Sequence, residues 1–278
     1  MKTLSDYLAR CYQQHRAIPA YNFNDCWDLR AMCDAVAGEL AQPLLAMSYG
    51  QVVEAHGAAG CAAMVAAVRS RYSQPVFLHL DHCDNIERCI AAVDAGYDAV
   101  MFDGSALSLE ENIRGTREVT DYAHRKGVLV EAEIGRIRGR GFQDGDDYLA
   151  QVDDVVALAQ QSGADLIAVG VGTAHGFYQG APEINFARLD AIYQATTTPL
   201  VLHGGTGIPV ADLRRAIQSG VVKINVGTAL HTAYMTALRE ALAEDGDSAY
   251  PPLTIGKAMA RVKQEALHYA RAIGGETL

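Results

Sequence analysis

Positively charged residues are in the minority in this chain of 278 residues, which has 23 Lys and Arg against 33 Asp and Glu. The net charge of −10 and the scattered basic residues argue against a nucleic-acid or membrane partner, because neutralising phosphates requires a basic patch. Long apolar runs are also missing, since no uninterrupted apolar stretch approaches the length of about 20 residues that a helix needs to span a bilayer. The first residues lack the apolar core and cleavage site of a secretory signal.

Cysteine is scarce and confined to the first third of the chain. The six cysteines form no CxxC pair and no compact framework, which argues against a cysteine metal site and predicts reduced thiols in a cytoplasmic protein. Linkers rich in Pro or Ser are absent as well. We therefore expect a single domain over residues 1–278, with a C-terminal helical tail at about 253–272.

What the sequence does contain is a regular alternation of short apolar runs and amphipathic segments. The segments 85–96 and 209–220 repeat apolar residues at spacings of three and four and end on Gly, as helices do. This alternation predicts an α/β fold, a closed (β/α)8 TIM barrel with its active site at the C-terminal ends of the strands. The predicted strands are 18–23, 43–48, 75–80, 98–103, 128–133, 165–171, 199–203 and 221–226.

Polar or ionisable side chains stand at the predicted C-terminal end of nearly every strand. Three of them, His82, His175 and His203, follow strands three, six and seven and can converge above one barrel mouth. Three imidazoles with one open position suit a catalytic Zn²⁺, although Co²⁺, Mn²⁺ or Fe²⁺ would fit the same spacing. The histidines outside the strands are assigned no role: His15, His56, His124, His231 and His268.

The segment FLHLDH, residues 77–82, ends an apolar run on ionisable groups. Alternation places His79 and Asp81 on one face of the strand and the two leucines on the other, where they pack on helices. Asp81 then points into the barrel mouth, and His82 lies one step beyond, where the strand turns outward. There Asp81 positions or protonates a substrate oxygen, or, as the alternative, only orients the imidazole of His82.

Two Gly-rich segments follow the last two strands and each opens a helix: HGGTG at 203–207 and NVGTAL at 225–230. Small residues let backbone N–H groups approach an anion, and a helix N-terminus adds the positive end of its dipole. The loops after strands seven and eight are a frequent phosphate site in such barrels.

The strings HLDH, VEAEIG, VGVGTAHGFY, PLVLHGGTG and KINVGTAL, in this order, resemble the class II (metal-dependent) ketose-bisphosphate aldolases, the fructose- and tagatose-bisphosphate aldolase family. The resemblance runs from about residue 19 to residue 230. It implies a carbon–carbon lyase that reversibly cleaves a phosphorylated ketose to dihydroxyacetone phosphate and an aldehyde. It further implies one catalytic Zn²⁺ on the three histidines, Asp81 as catalytic acid, and a homodimer or homotetramer.

The resemblance extends to the residues that bind dihydroxyacetone phosphate, and to these we add polar strand ends and neighbouring loop positions. Asp103 and Glu133, at the ends of strands four and five, are included as further metal ligands, which allows a second mono- or divalent cation. The predicted substrate-binding residues are Asn22, Ser48, Gly176, Gly204, Gly205, Thr206, Asn225, Val226, Gly227 and Thr228.

Two stretches depart from the family pattern. The loop after strand five has Gly141 near the usual position of a Glu, so Asp144 is predicted to move the proton at the enediolate carbon. The C-terminal region shows no clear arginine for a distal phosphate. Two alternatives stay open: a catalytically silent barrel that is the partner subunit of a sugar-phosphate aldolase, and a metal-dependent hydrolase. The intact Asp81 and histidines argue against the first, and the Gly-rich anion loops against the second.

Overall fold

The computed structural model describes residues 2–37, 40, 42–137, 148–178, 180 and 182–274. Eight parallel strands close into a barrel in chain order, which confirms the predicted (β/α)8 fold. Each strand overlaps its predicted run. The strands are β1 (Ile18–Asn22), β2 (Leu44–Ser48), β3 (Val76–Cys83), β4 (Ala99–Phe102), β5 (Leu129–Ile134), β6 (Leu166–Val169), β7 (Leu200–Leu202) and β8 (Val221–Val226).

Helices precede, separate and follow these strands. The predicted tail is occupied by a helix, α10, which follows a short 3-10 turn at Gly246–Ser248 and is the C-terminal helical extension of the fold. The helices are α1 (Leu4–Gln14), α2 (Cys26–Ala37), α3 (Gly50–Arg69), α4 (Ile86–Asp94), α5 (Leu109–His124), α6 (Val152–Ser162), α7 (Phe186–Ala195), α8 (Val210–Gln218), α9 (Thr228–Asp245) and α10 (Pro251–Gly274).

Helix α3 is long and rich in apolar residues. Its 20 residues, with a mean hydropathy of 1.3, are by length and composition alone enough to cross a membrane. It is not an uninterrupted apolar run, because Glu54 and His56 lie among its Ala and Gly residues. In the structure Val52, Cys61 and Val65 are buried against the barrel, and Gly57 interrupts the helical backbone. Helix α3 is thus an outer helix between β2 and β3.

The core has two parts, separated by the sheet. Outward-facing strand residues such as Leu78 and Leu80 pack against the surrounding helices, as alternation predicts. Inward-facing residues, among them Phe77 and Val222, fill the barrel and continue into the buried face of α1. Helix α1 therefore covers the N-terminal end of the barrel, opposite the predicted active site.

Helix α10 ties the last described part of the chain to β1 and to the loop after β7. The hydroxyl of Tyr21 in β1 donates a hydrogen bond of 2.7 Å to the carbonyl of Ala266, and this tyrosine is fully buried. Tyr269 in the same helix accepts a hydrogen bond of 3.0 Å from the N–H of Gly207, in the loop after β7. The C-terminal helix thereby supports one of the two Gly-rich loops.

Strand β3 does not turn outward after Asp81, as the sequence had suggested, but continues to Cys83. Its pairing with β4 shifts register between Leu80 and Cys83, which marks a bulge. His82 within this bulge has a φ of 49°, in the left-handed region that costs a side chain of this kind roughly 1 kcal/mol. The bulge overrides alternation, so that Asp81 and His82, although adjacent, both reach the barrel mouth.

Candidate active site

A cavity of about 670 Å³ opens at the C-terminal ends of the strands. Its walls are contributed by residues from the ends of most strands and from the loops that follow them, which is where a barrel of this kind places its chemistry. The predicted site residues that line it are Asn22, Asp81, His82, Asp103, Glu133, His175, Gly176, His203, Gly204, Thr206, Asn225, Gly227 and Thr228.

Three imidazoles converge in this cavity. One ring nitrogen from each of His82, His175 and His203 lies within 4.8 Å of the other two. The rings of His82 and His203 stand nearly perpendicular, with centroids 4.6 Å apart, and His82 and His175 are similarly placed at 4.9 Å. Imidazole nitrogens in this arrangement are the donor set that a catalytic divalent metal takes once each ring is neutral. The residues present therefore fit the metal that the sequence predicts.

The orientation of His203 is set from below by a fully buried ionic layer. Its Nε2–H donates to Glu131 Oε1 at 2.8 Å, and Glu131 Oε2 accepts from Lys223 Nζ at 2.7 Å. With Nε2 engaged, the lone pair of His203 Nδ1 faces the common point of the three rings. Burial, followed by the positive charges of His82 and Lys223, holds the pKa of His203 well below its ordinary range. His203 is thus neutral, as a metal ligand has to be.

The second imidazole, His82, is held from its other side by Asp103. Asp103 Oδ2 lies 2.7 Å from His82 Nδ1, and His203 Nδ1 lies 2.9 Å from His82 Nε2. Burial disfavours the charged ring, but the negative charge of Asp81, the hydrogen bond to Asp103 and the charge of Glu133 together raise the pKa of His82 to about 10. A positive charge is therefore favoured at this point of the cavity, where a cation would sit.

Asp81 is fixed by two amides, one on each carboxylate oxygen. Asn22 Nδ2 donates to Oδ2 at 2.8 Å, and Asn225 Nδ2 donates to Oδ1 at 3.0 Å. Burial opposes ionisation, but the charges of His82, His203 and Lys223 and the hydrogen bond from Asn22 lower the pKa of Asp81. The carboxylate is therefore ionised and able to accept a proton from a substrate hydroxyl.

Glu133 contributes to a second grouping of possible ligand atoms. One oxygen or nitrogen from each of His82, Asp103 and Glu133 lies within 4.8 Å of the others. Glu133 is buried, and its Oε2 has no hydrogen-bond partner among the described residues. Burial and the negative charge of Asp103 hold its pKa well above the ordinary range. A buried carboxylate oxygen that accepts no hydrogen bond within the described part of the chain and lies 3.7 Å from His82 Nδ1 is consistent with a place for a further cation.

The two Gly-rich loops lie close to the neighbouring strands. Gly204 has a φ of 69°, and a side chain there would collide with the backbone of Ala174, so only glycine is accommodated. A Cβ on Gly227 would lie 2.5 Å from Asn22 Oδ1. The hydroxyl of Thr206 accepts a hydrogen bond of 3.2 Å from the N–H of Ala229, in the first turn of α9. These loops present backbone groups and the N-terminus of α9 to the cavity.

Several predicted residues are not among those that line the cavity. Ser48 is fully buried, and its hydroxyl forms a hydrogen bond of 2.8 Å with the phenol of Tyr97. Gly205 donates its N–H to the carbonyl of Asn225 at 2.9 Å, and the side chain of Val226 packs in the core outside the barrel. Asp144 lies outside the residues that the structure describes.

The structure also brings residues to the site that received no role from the sequence. Glu131, His79 and Lys223 were not among the predicted site residues, yet all three are buried beneath the imidazoles. A lysine within the apolar strand VVKINV was the available signal, because a lysine is seldom buried without a partner. His231, which had been set aside, lines the cavity.

Comparison with known proteins identifies the family of the chain. The profile of the family "Fructose-bisphosphate aldolase class-II" matches residues 2–277. A fructose-bisphosphate aldolase of Geobacillus stearothermophilus is 35% identical over 280 residues, covering 98% of this chain and 96% of the relative. A 6-phospho-5-dehydro-2-deoxy-D-gluconate aldolase of Bacillus velezensis is 37% identical over 249 residues, covering 88% and 86%.

Among solved structures, the YdjI aldolase from Escherichia coli K12 superposes with a TM-score of 0.86 at 28% identity, covering 98% of this chain and 97% of the other. A fructose-bisphosphate aldolase of Campylobacter jejuni has a TM-score of 0.83 at 20% identity, a likeness of fold alone.

Proposed function

The chain belongs to the class II fructose-bisphosphate aldolase family, and from that premise we propose that it cleaves its ketose phosphate with Asp81 as proton acceptor and Zn²⁺ held by His82, His175 and His203. Aldolases of this family are carbon–carbon lyases of carbohydrate metabolism that act on sugar phosphates, and metal dependence is a general property of the class. The observation that carries the proposal is the Asp81 carboxylate, held by two amides beside three converging imidazoles.

The chain's own residues account for the proton transfer at the reacting bond. Cleavage next to the ketone begins when the C4 hydroxyl loses its proton, and the ionised Asp81 accepts it. In the direction of condensation Asp81 returns the same proton to the new hydroxyl. Asn225, which already holds Asp81 through Nδ2, can donate a hydrogen bond to the enediolate oxygen. When bound, Zn²⁺ supplies a fixed positive charge that stabilises the developing negative charge on the enediolate.

The remaining residues bind the phosphate and the metals. Gly176, Gly204 and Thr206, together with the loop before α9, receive the phosphate of dihydroxyacetone phosphate through backbone groups and the positive end of the helix dipole. Asp103 and Glu133 hold a second mono- or divalent cation against His82. Asp144 remains the proposed acid at the enediolate carbon, on the ground of its position in the sequence.

We propose further that the protein is cytoplasmic and forms a homodimer or homotetramer. The six cysteines are free, which supports a reducing compartment. Light scattering of the purified protein reports its oligomeric state directly.

One assay tests the central proposal. Purified protein is offered a panel of ketose monophosphates and bisphosphates, and release of dihydroxyacetone phosphate is followed before and after treatment with a chelator and after addition of Zn²⁺. We expect cleavage that the chelator abolishes and Zn²⁺ restores. We also expect His203→Ala to lose most bound zinc in elemental analysis, whereas His56→Ala, on the exposed face of α3, keeps it. Stoichiometric zinc and intact cleavage in His203→Ala would refute the ligand assignment.

A further inference from the structure

The loop after β7, residues 203–207, consists largely of glycine. Gly204 and Gly207 have positive φ values of 69° and 78°. Glycine loses more conformational freedom on folding than any other residue, so a loop of this composition is held in one conformation only by specific contacts. A ligand binds more tightly when the groups that receive it are already in place. The contacts that fix this loop therefore bear on the affinity for the phosphate.

Tyr178, which follows β6, fixes the first peptide group of the loop. Its hydroxyl donates to the carbonyl of Gly204 at 2.9 Å and accepts from the N–H of Ala174 at 3.0 Å. On the other side of the same peptide group, the N–H of Gly205 donates to the carbonyl of Asn225 at 2.9 Å. Because a peptide unit is planar and rotates as a whole, these bonds hold it at both ends.

Tyr269 of α10 fixes the last peptide group of the loop, between Thr206 and Gly207. The N–H of Gly207 donates to the hydroxyl of Tyr269 at 3.0 Å. Tyr269 is buried, whereas Gly207 is exposed. An N–H at an exposed residue can bond to water, so the phenol is not required to satisfy a buried donor. What the phenol adds is a fixed direction for this peptide group.

Between its two fixed ends the loop presents donors to the cavity. Gly204 and Thr206 line the cavity, and no hydrogen bond among the described residues uses the backbone N–H of either. The hydroxyl oxygen of Thr206 accepts from the N–H of Ala229, which joins the loop to the first turn of α9. Backbone N–H groups held beside a helix N-terminus are suited to an anion. The peptide groups on either side of Thr206 meet at its Cα, so freedom in the last one would also loosen the N–H of Thr206.

Helix α10 holds the barrel at a second point close to Tyr269. The carbonyl of Ala266, three residues before Tyr269 and therefore about 4.5 Å away along the helix axis, accepts from the hydroxyl of Tyr21 in β1. The bond from Tyr21 attaches α10 to the barrel wall, whereas the bond to Tyr269 reaches the loop after β7. The two phenols therefore allow docking of the helix to be separated from positioning of the loop.

From these contacts we infer that Tyr269 is a positioning residue for the phosphate of dihydroxyacetone phosphate. Its hydroxyl holds the loop after β7 in the conformation that binds phosphate, while Tyr178 holds the other end of the loop. The inference rests on the proposed function, which takes the phosphate to bind at this loop, and it adds α10 to the elements that determine substrate affinity. The phosphate is bound alike in the ground state and in the transition state, so Tyr269 acts on KM and not on kcat.

The test compares Tyr269→Phe with Tyr21→Phe, because each variant removes one phenol hydroxyl at α10 and keeps the ring. The zinc-loaded proteins are titrated with glycerol 3-phosphate, which carries the phosphate ester without the ketone, and kcat and KM are measured for a ketose phosphate that the wild type cleaves. Tyr269→Phe should raise Kd and KM about 5-fold with kcat nearly unchanged, the effect of one neutral hydrogen bond. Tyr21→Phe should keep the wild-type Kd and KM, although thermal unfolding is expected to show a loss of stability.

Binding of glycerol 3-phosphate needs no catalysis and separates the inference from the aldolase proposal. Wild-type protein that binds this ligand but cleaves no ketose phosphate would contradict the aldolase proposal, and the Kd of Tyr269→Phe would still decide the inference. An unchanged Kd and KM in Tyr269→Phe, with cleavage intact, overturns the positioning role. An equal rise in both phenylalanine variants also overturns it, because the effect then comes from docking of α10. Wild-type protein that does not bind glycerol 3-phosphate overturns the inference as well.

Discussion

Glu131 Oε1 accepts a hydrogen bond of 2.8 Å from His203 Nε2, and both side chains are completely buried beneath the three imidazoles. A carboxylate in this position selects the tautomer of the ring above it and increases the basicity of the nitrogen that faces the site. The relationship joins the proposed metal site to the interior of the barrel. Its consequences can be measured separately as metal affinity and as stability.

Glu131→Gln should weaken zinc binding about 10- to 100-fold, the usual effect of losing such a partner. The amide can no longer accept from both His203 and Lys223, so the ring loses its fixed orientation. Competition with a fluorescent chelator measures the affinity. Zinc affinity equal to that of the wild type would show that Glu131 does not orient His203.

The stability of the same variant should depend on Lys223. Glu131→Gln leaves Lys223 fully buried without its counter-charge, which is expected to lower the free energy of unfolding by about 3 to 5 kcal/mol. The double variant Glu131→Gln, Lys223→Met removes both charges and should recover most of that loss. Urea unfolding of the single and double variants without metal measures both effects. A double variant as unstable as the single one would contradict the pairing argument.

Asp81→Asn should retain zinc and the fold but reduce C–C cleavage about 100-fold or more, the scale of losing a positioned proton-transfer group. Solvent exchange into dihydroxyacetone phosphate does not require this proton transfer and should survive better than cleavage. The rates of cleavage and of solvent exchange, measured side by side in wild type and variant, test this distinction. An equal loss of both would instead assign Asp81 the role of orienting His82.

Asp144→Ala should slow solvent exchange into dihydroxyacetone phosphate while zinc content and affinity for that ligand stay nearly unchanged. The reason is that the proposed acid acts on the enediolate carbon and binds neither metal nor phosphate. Isotope incorporation followed by NMR gives the rate. Exchange at the wild-type rate would move this role to another acid, with Glu133 the first candidate.

Asp28 should make stability depend on pH. Burial raises its pKa from 3.8 to about 6, so between these values the folded protein binds a proton more tightly than the unfolded chain. The contribution of Asp28 to the free energy of unfolding is therefore largest below about pH 4. It falls by about 3 kcal/mol in total as the pH rises through about 6. Asn at this position cannot ionise. The unfolding free energy of Asp28→Asn relative to wild type should thus increase over the same interval, and a difference that is constant with pH would contradict the assignment.

The barrel could be predicted from the sequence because each strand combines an apolar run with a Gly or turn signal, and all eight observed strands overlap their predicted runs. The positions of His82, His175 and His203 followed from the same pattern, since strand ends meet at one rim. The bulge in β3 could not be predicted, because nothing in FLHLDH marks a histidine with positive φ. Strict alternation would have placed Asp81 and His82 on opposite faces.

Contacts between distant parts of the chain explain the other differences. Lys223 and Glu131 are 92 residues apart and meet only because the barrel closes. In the sequence His231 resembles an ordinary helix residue. In the structure its ring contacts Asn24, which is 207 residues away in the chain. Ser48 stood at a strand end, yet the phenol of Tyr97 takes up its hydroxyl inside the core. Such pairings have no local signature in the sequence.

Helix α1 begins with a capping box at Thr3 and Asp6, so it can form locally and early. Its docking surface, however, is made of residues from strands as far apart in the chain as β3 and β8, and Tyr7 packs on Phe77. This surface is complete only after the last strand has joined the first. We therefore expect α1 to dock late, and until it docks Phe77 and Val222 at the open base of the barrel are exposed to other chains. We expect folding at high protein concentration to be vulnerable to aggregation at that step.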